Sequence, residues 1–123
     1  IGPAGLSTLA KFIPDSAAVK NLRLDNNPIT GSKYNEGKKE YGVEEYDCDL
    51  AGISALCEAL KTCSISILSL ADCDIGVNGV STLATFIPDI AALSTVNLCD
   101  NANINVADIE AVKIAAPNVS IEH

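Results

Sequence analysis

The sequence predicts an α/β solenoid, a stack of short strand-plus-helix units sharing one aliphatic interior. Three observations predict it. A fifteen-residue block occurs twice, apolar residues inside each copy fall at helical spacing, and a short strand pattern follows each helix. A single unit of this kind cannot bury its apolar stripe alone, so neighbouring units must stack.

The repeated block runs from Ile1 to Asp15 and again from Ile75 to Asp89, with eleven of fifteen positions identical. A third, shorter copy is Gly52-Ile53-Ser54-Ala55-Leu56-Cys57-Glu58-Ala59-Leu60. The apolar positions are Leu6, Leu9, Ala10 and Ile13; Ile53, Leu56, Cys57 and Leu60; and Val80, Leu83, Ala84 and Ile87. Steps of three and four residues place each set on one helical stripe. Pro14 and Pro88 stop the first and third helices.

The strand pattern is Val19-x-x-Leu22-x-Leu24-x-x-Asn27-x-Ile29 in the first copy. It returns as Ile65-x-x-Leu68-x-Leu70-x-x-Cys73-x-Ile75, and as Leu93-x-x-Val96-x-Leu98-x-x-Asn101 with one extra residue before Ile104. Alternation puts each apolar pair on one face of a short strand. An inward Asn at the exit can bond backbone groups that burial would otherwise leave unpaired.

These residues resemble the leucine-rich repeat, and the 27-residue step from Gly52 to Gly79 resembles its ribonuclease-inhibitor-like subfamily. The resemblance covers roughly residues 1–29 and 50–104. It implies about three to four repeats in one domain or fragment over residues 1–123, with parallel strands on a concave side and helices on a convex side. Two segments depart from the pattern. Residues 30–49 are an inserted polar loop. Residues 106–123 admit two readings: Ala116-x-x-Val119-x-Ile121 is a last strand, or Pro117 matches Pro88 and no strand follows.

Composition narrows the function classes. The formal net charge is −8, so the basic footprint that nucleic acid requires is missing, and anionic membranes are disfavoured. No apolar run is long enough to span a bilayer. The chain has no Met and reads as a mature piece or a fragment. Its five Cys, an odd number without framework spacing, suggest free thiols and an intracellular, cytoplasmic setting. Cys57 and Cys73 are expected in the core.

Chemistry-bearing motifs are sparse. Gly31 to Lys39 fails the phosphate-loop spacing, because the second Gly comes one residue late and Lys39 stands where a hydroxyl is needed. Asp-Cys-Asp occurs at 47–49 and 72–74 without a full calcium-loop pattern, and reads as solvated acids beside a buried Cys. No C-x-x-C pair exists, and the single His is His123. Asn118-Val119-Ser120 matches a glycosylation acceptor but falls in a possible strand. No catalytic residue, cofactor or metal is expected.

The expected role is a protein–protein interaction module or a scaffold subunit of a larger assembly. The resemblance also admits a ligand-sensing region of an intracellular receptor, or a regulator of an enzyme. Two surfaces are candidates. On the concave face, outward strand residues form columns: Arg23, Ser69 and Asn97; Asp25, Ala71 and Cys99; Asn26, Asp72 and Asp100. The polar members, Arg23, Asp25, Asn26, Ser69, Asp72, Asn97 and Asp100, are the expected partner contacts. In the insertion, Tyr34, Lys38, Lys39, Tyr41 and Tyr46 are the second set, because Tyr is a favoured interface anchor.

Overall fold

The structure, a computed structural model, describes every residue except Ala17. Helix α1 (Pro3–Ala10) opens with Pro at its first turn, where the missing N–H is no loss. Strand β1 (Asn21–Arg23) follows. The insertion contributes β2 (Lys33–Tyr34) and β3 (Val43–Glu45). Then come α2 (Ala51–Leu60), β4 (Ile67–Ser69), α3 (Val77–Phe86), β5 (Thr95–Asn97), α4 (Val106–Ala115) and β6 (Ser120–Glu122). Pro14 and Pro88 do not end a helix directly. The helices stop at Ala10 and Phe86, and each proline lies inside a short 3-10 turn, Ile13–Asp15 or Ile87–Asp89.

The main sheet is parallel, in the order β1-β4-β5-β6. Leu22 pairs with Leu68, Leu68 with Val96, and Val96 with Ile121. One continuous core joins these residues to the helix stripes, including Leu6, Ile53, Leu56, Leu60, Val80, Leu83, Ile109 and Val112. Fully burying each aliphatic side chain contributes about 1.5–3 kcal/mol. Cys57 and Cys73 lie in this core. In β1, β5 and β6 the central residue is more buried than its flanks, whereas in β4 Leu68 and Ser69 are both buried and Ile67 is exposed, so one face of the sheet packs and the other is open except at Ser69.

The architecture corrects the predicted solenoid. The described residues form a small α/β fold of four α-helices, a four-stranded parallel sheet and a separate two-stranded antiparallel sheet. The insertion is the physical reason. Instead of a plain loop, it pairs β2 with β3 and forms two 3-10 turns, Asn35–Gly37 and Lys39–Tyr41. A uniform curved stack with one strand direction is therefore not what this chain forms.

Of the two readings of residues 106–123, the one with a last strand fits, at a shifted register. A strand does follow Pro117, but Ile121, not Val119, lies beside Val96. Helix α4 ends at Ala115, and the chain reaches its strand without the 3-10 turn that follows α3. That shortened return moves the pairing by two residues from the spacing-based alignment.

Candidate partner-binding surface

The open sheet face begins with the row Arg23–Ser69–Asn97, in register across three strands, and Glu122 extends it on β6; Ser69, expected as an outward partner contact, is buried in the middle of this row. These side chains are cross-linked. Ser69 Oγ donates to Asp25 Oδ1 at 2.6 Å, and the Ala71 N–H donates to the same oxygen at 2.9 Å. Arg23 Nη2 donates to Asp25 Oδ2 at 2.9 Å. Asn97 Nδ2 donates to Ser69 Oγ at 3.2 Å, while its Oδ1 accepts from the Cys99 N–H at 2.9 Å. Desolvation pushes the Asp25 carboxyl up. The bonds from Ser69, Arg23 and Ala71 and the Arg23 charge outweigh it, and hold the pKa below the usual carboxylate value.

The column Asn26, Asp72 and Asp100 has a conformational cause. All three adopt left-handed backbone, with φ of 60°, 51° and 60°. Each sits where a strand turns out of the sheet. Asn and Asp tolerate this region better than other side-chain-bearing residues. Their recurrence is thus accounted for by the turn before any binding role is considered.

The insertion folds back onto this strand-exit edge. Tyr34 donates its hydroxyl to Asp74 Oδ2 at 2.6 Å. Partial burial, that bond and the charges of Asp74 and Asp72 raise the phenol well above its ordinary value, so it keeps its proton. Lys39 Nζ donates to Asn26 Oδ1 at 2.6 Å and to Asp72 Oδ2 at 3.4 Å, and lies 3.8 Å from Asp74 Oδ2. Ser32 Oγ donates to the Asp74 carbonyl at 2.7 Å and accepts from the Asp47 N–H at 3.1 Å. Tyr46 is half-buried, its Cβ seated close to Gly76. The two sets of candidate residues therefore meet at Lys39, Asn26 and Asp72. Tyr34 and Tyr46 are half-buried, and Lys39, though exposed, is paired within the molecule. Lys38 and Tyr41 remain at the surface, with Lys38 Nζ 5.4 Å from the Tyr41 ring centre.

Asp47 carries a role that the sequence reading missed. Its Oδ1 accepts from the Gly76 N–H at 3.0 Å and its Oδ2 from the Gly79 N–H at 2.8 Å. Gly76 begins α3 without a side-chain cap of its own, and Asp47 supplies one from 29 residues away. A Cβ on Gly76 would lie 2.7 Å from Asp47 Oδ2, so glycine makes room for the carboxylate. Nearby, Asp49 Oδ1 accepts from the Ala51 N–H at 3.0 Å at the start of α2. Asp47 is thus a half-buried helix cap, whereas Asp49 stays exposed while bonding the first N–H of α2. Cys48 between them is exposed, which corrects the expected buried thiol there. The available signal was a helix start without a capping residue, paired with an acidic insertion.

Behind the open face, a buried ladder fixes the strand exits. Asn101 Nδ2 donates to Leu70 O at 2.9 Å, Leu98 O at 3.0 Å and Cys99 O at 3.3 Å. Its Oδ1 accepts from the Cys73 N–H at 3.1 Å and the Ile75 N–H at 3.0 Å. Cys73 Sγ donates to Leu24 O at 3.1 Å. Asn27 donates to Leu24 O and Asp25 O at 3.1 and 3.0 Å, and accepts from the Ile1 amino group. Burial pushes the thiols of Cys57 and Cys73 up to about 12 and about 11, so both stay protonated at neutral pH.

Among the described residues, no group of three or more His, Cys, Asp or Glu is placed to hold a metal ion. Nor is any helix among them long and apolar enough to cross a membrane. No family model matches the chain, and no curated protein matches it.

Proposed function

We propose that the protein is a non-catalytic protein–protein interaction module, and that its partner contacts the open sheet face together with the surface turn bearing Lys38 and Tyr41. One observation carries this reading: exposed Arg23 and half-buried Asp25 and Asn97 are fixed in place through buried Ser69. Asp25, Ser69, Asn97 and Arg23 form a connected set across three strands. A partner that bonds to such groups immobilises few new rotamers, which lowers the ordering cost of association. Tyr41 adds an aromatic ring, 53% exposed, with a cation beside it. The five unpaired thiols, one of them bonded into the core through Leu24, suit an intracellular, reducing compartment.

The test uses two surface variants that keep the fold. Asp72→Asn with Asp100→Asn removes two charges while keeping residues that accept left-handed backbone. Lys38→Ser with Tyr41→Ser removes the exposed aromatic patch. For proteins captured by the immobilised wild-type chain, each variant should weaken binding about tenfold or more, with thermal unfolding little changed. Equal capture by wild type and both variants would reject this surface.

A further inference from the structure

We propose that the two open edges of the parallel sheet are complementary to each other, so that the chain associates head to tail with a second copy of itself, β6 of one copy against β1 of the next. This adds a specific partner to the interaction role and stands independently of the sheet-face reading above.

The backbone groups fit without a register shift. Leu24 N–H donates to Ser69 O, and Lys20 O accepts from the Ile67 N–H, so Lys20, Leu22 and Leu24 point toward β4. Asn21 and Arg23 then present their N–H and C=O groups to the open side. On the other edge, Ser120 N–H donates to Ser94 O and Glu122 O accepts from the Leu98 N–H, so Ile121 points outward. Continuing the observed pairing sets Ser120 beside Asn21, Ile121 beside Leu22 and Glu122 beside Arg23.

Charge and packing agree with this pairing. Glu122 is exposed, and the Arg23 side chain is 77% exposed. Arg23 reaches Asp25 through Nε and Nη2, which leaves Nη1 for a carboxylate on its other side. Leu22 is only half-buried at the open edge, where its counterparts Leu68 and Val96 are fully buried.

The duplicated block shows what kind of surface is missing a cover. In the second copy, Phe86 is half-buried with Lys61, at the end of the preceding helix α2, 5.3 Å from its ring centre. The matching residue in the first copy, Phe12, is 64% exposed. It borders a groove of about 140 Å³ with Leu9, Val19 and Leu22. The helix that a second copy would bring there is α4. Asp108 and Ala111 of α4 face α3. Lys113, in the last turn of α4, lies two residues from Ala111, about 200° around the helix, and is exposed. A cation is thus available to cover Phe12, as Lys61 covers Phe86.

Such a contact is heterologous and does not close on itself, so mass should grow with concentration. Sedimentation velocity of the 123-residue chain over a concentration series tests this. Wild type should associate. Arg23→Glu and Glu122→Arg, each alone, should weaken association about tenfold or more by placing like charges together. The double variant carrying both reversals should regain it. Phe12→Ser should weaken association without any charge change. A wild-type chain that stays monomeric throughout, or association indifferent to all four variants, would overturn the proposal. Neither result bears on capture of other proteins through the sheet face.

Discussion

Asn101→Ala should lower the unfolding free energy by about 3–5 kcal/mol, a large share of the roughly 5–15 kcal/mol that holds a domain folded. The side chain is 2% exposed and serves five backbone groups drawn from two successive strand exits. Removing it leaves the N–H groups of Cys73 and Ile75 buried without their acceptor. Each unsatisfied buried donor costs about 1–3 kcal/mol. The carbonyl of Leu70 also loses the bond that ties this exit to the next. Asn101→Asp is a useful comparison, since it keeps the acceptor but sets a carboxylate against three carbonyl oxygens. Urea unfolding followed by circular dichroism measures both, with the midpoint falling and the slope unchanged. A loss under about 1 kcal/mol for Asn101→Ala would mean that solvent or a rearranged loop satisfies these groups.

The second large effect is expected at Asp47. Asp47→Ala removes two charge-assisted bonds to the first turn of α3 and puts Ala at φ 56°. Losing a cap costs about 0.5–2 kcal/mol and the left-handed backbone about 1–2 kcal/mol more, so about 2–3 kcal/mol is expected. Asp47→Asn keeps one acceptor and a residue that tolerates this φ, and should lose less than half as much. The distinguishing readout is amide exchange. The Gly76 and Gly79 N–H groups should exchange faster in Asp47→Ala than in wild type, ahead of global unfolding. Unchanged protection at both glycines would show that the insertion does not cap this helix.

These two residues mark what was legible in the sequence. Asn101 was identified from spacing, because its partners belong to neighbouring strand exits that share one pattern. Leu22, Leu68 and Val96 were aligned for the same reason: periodic residues with local partners announce themselves. Asp47 was not found, since its partners lie 29 and 32 residues away and no period connects them. The same holds for Tyr34 with Asp74 and Lys39 with Asn26, bonds that fasten the inserted loop, with its own antiparallel pair of strands, to the main sheet. That pairing is what sequence periodicity missed when it predicted a uniform solenoid. The candidate surface was legible in part. Its residues were named, but the spacing could not tell exposed Tyr41 from Tyr34, whose hydroxyl is bonded to Asp74. Nor could it show that Asn26, Asp72 and Asp100 are first of all residues that let the strands turn.

Methyl-to-methyl nuclear Overhauser contacts, on a sample with labelled Leu, Val and Ile, probe the shared interior most directly. Neighbouring strands lie about 4.7–4.9 Å apart, so in-register methyls must see one another. The expected result is an unbroken series: Leu22 to Leu68, Leu68 to Val96, and Val96 to Ile121. Contacts from Val96 to Val119 in place of Ile121, or no contact between Leu22 and Leu68, would contradict the parallel core on which the open face, the helix cap and the edge pairing all depend.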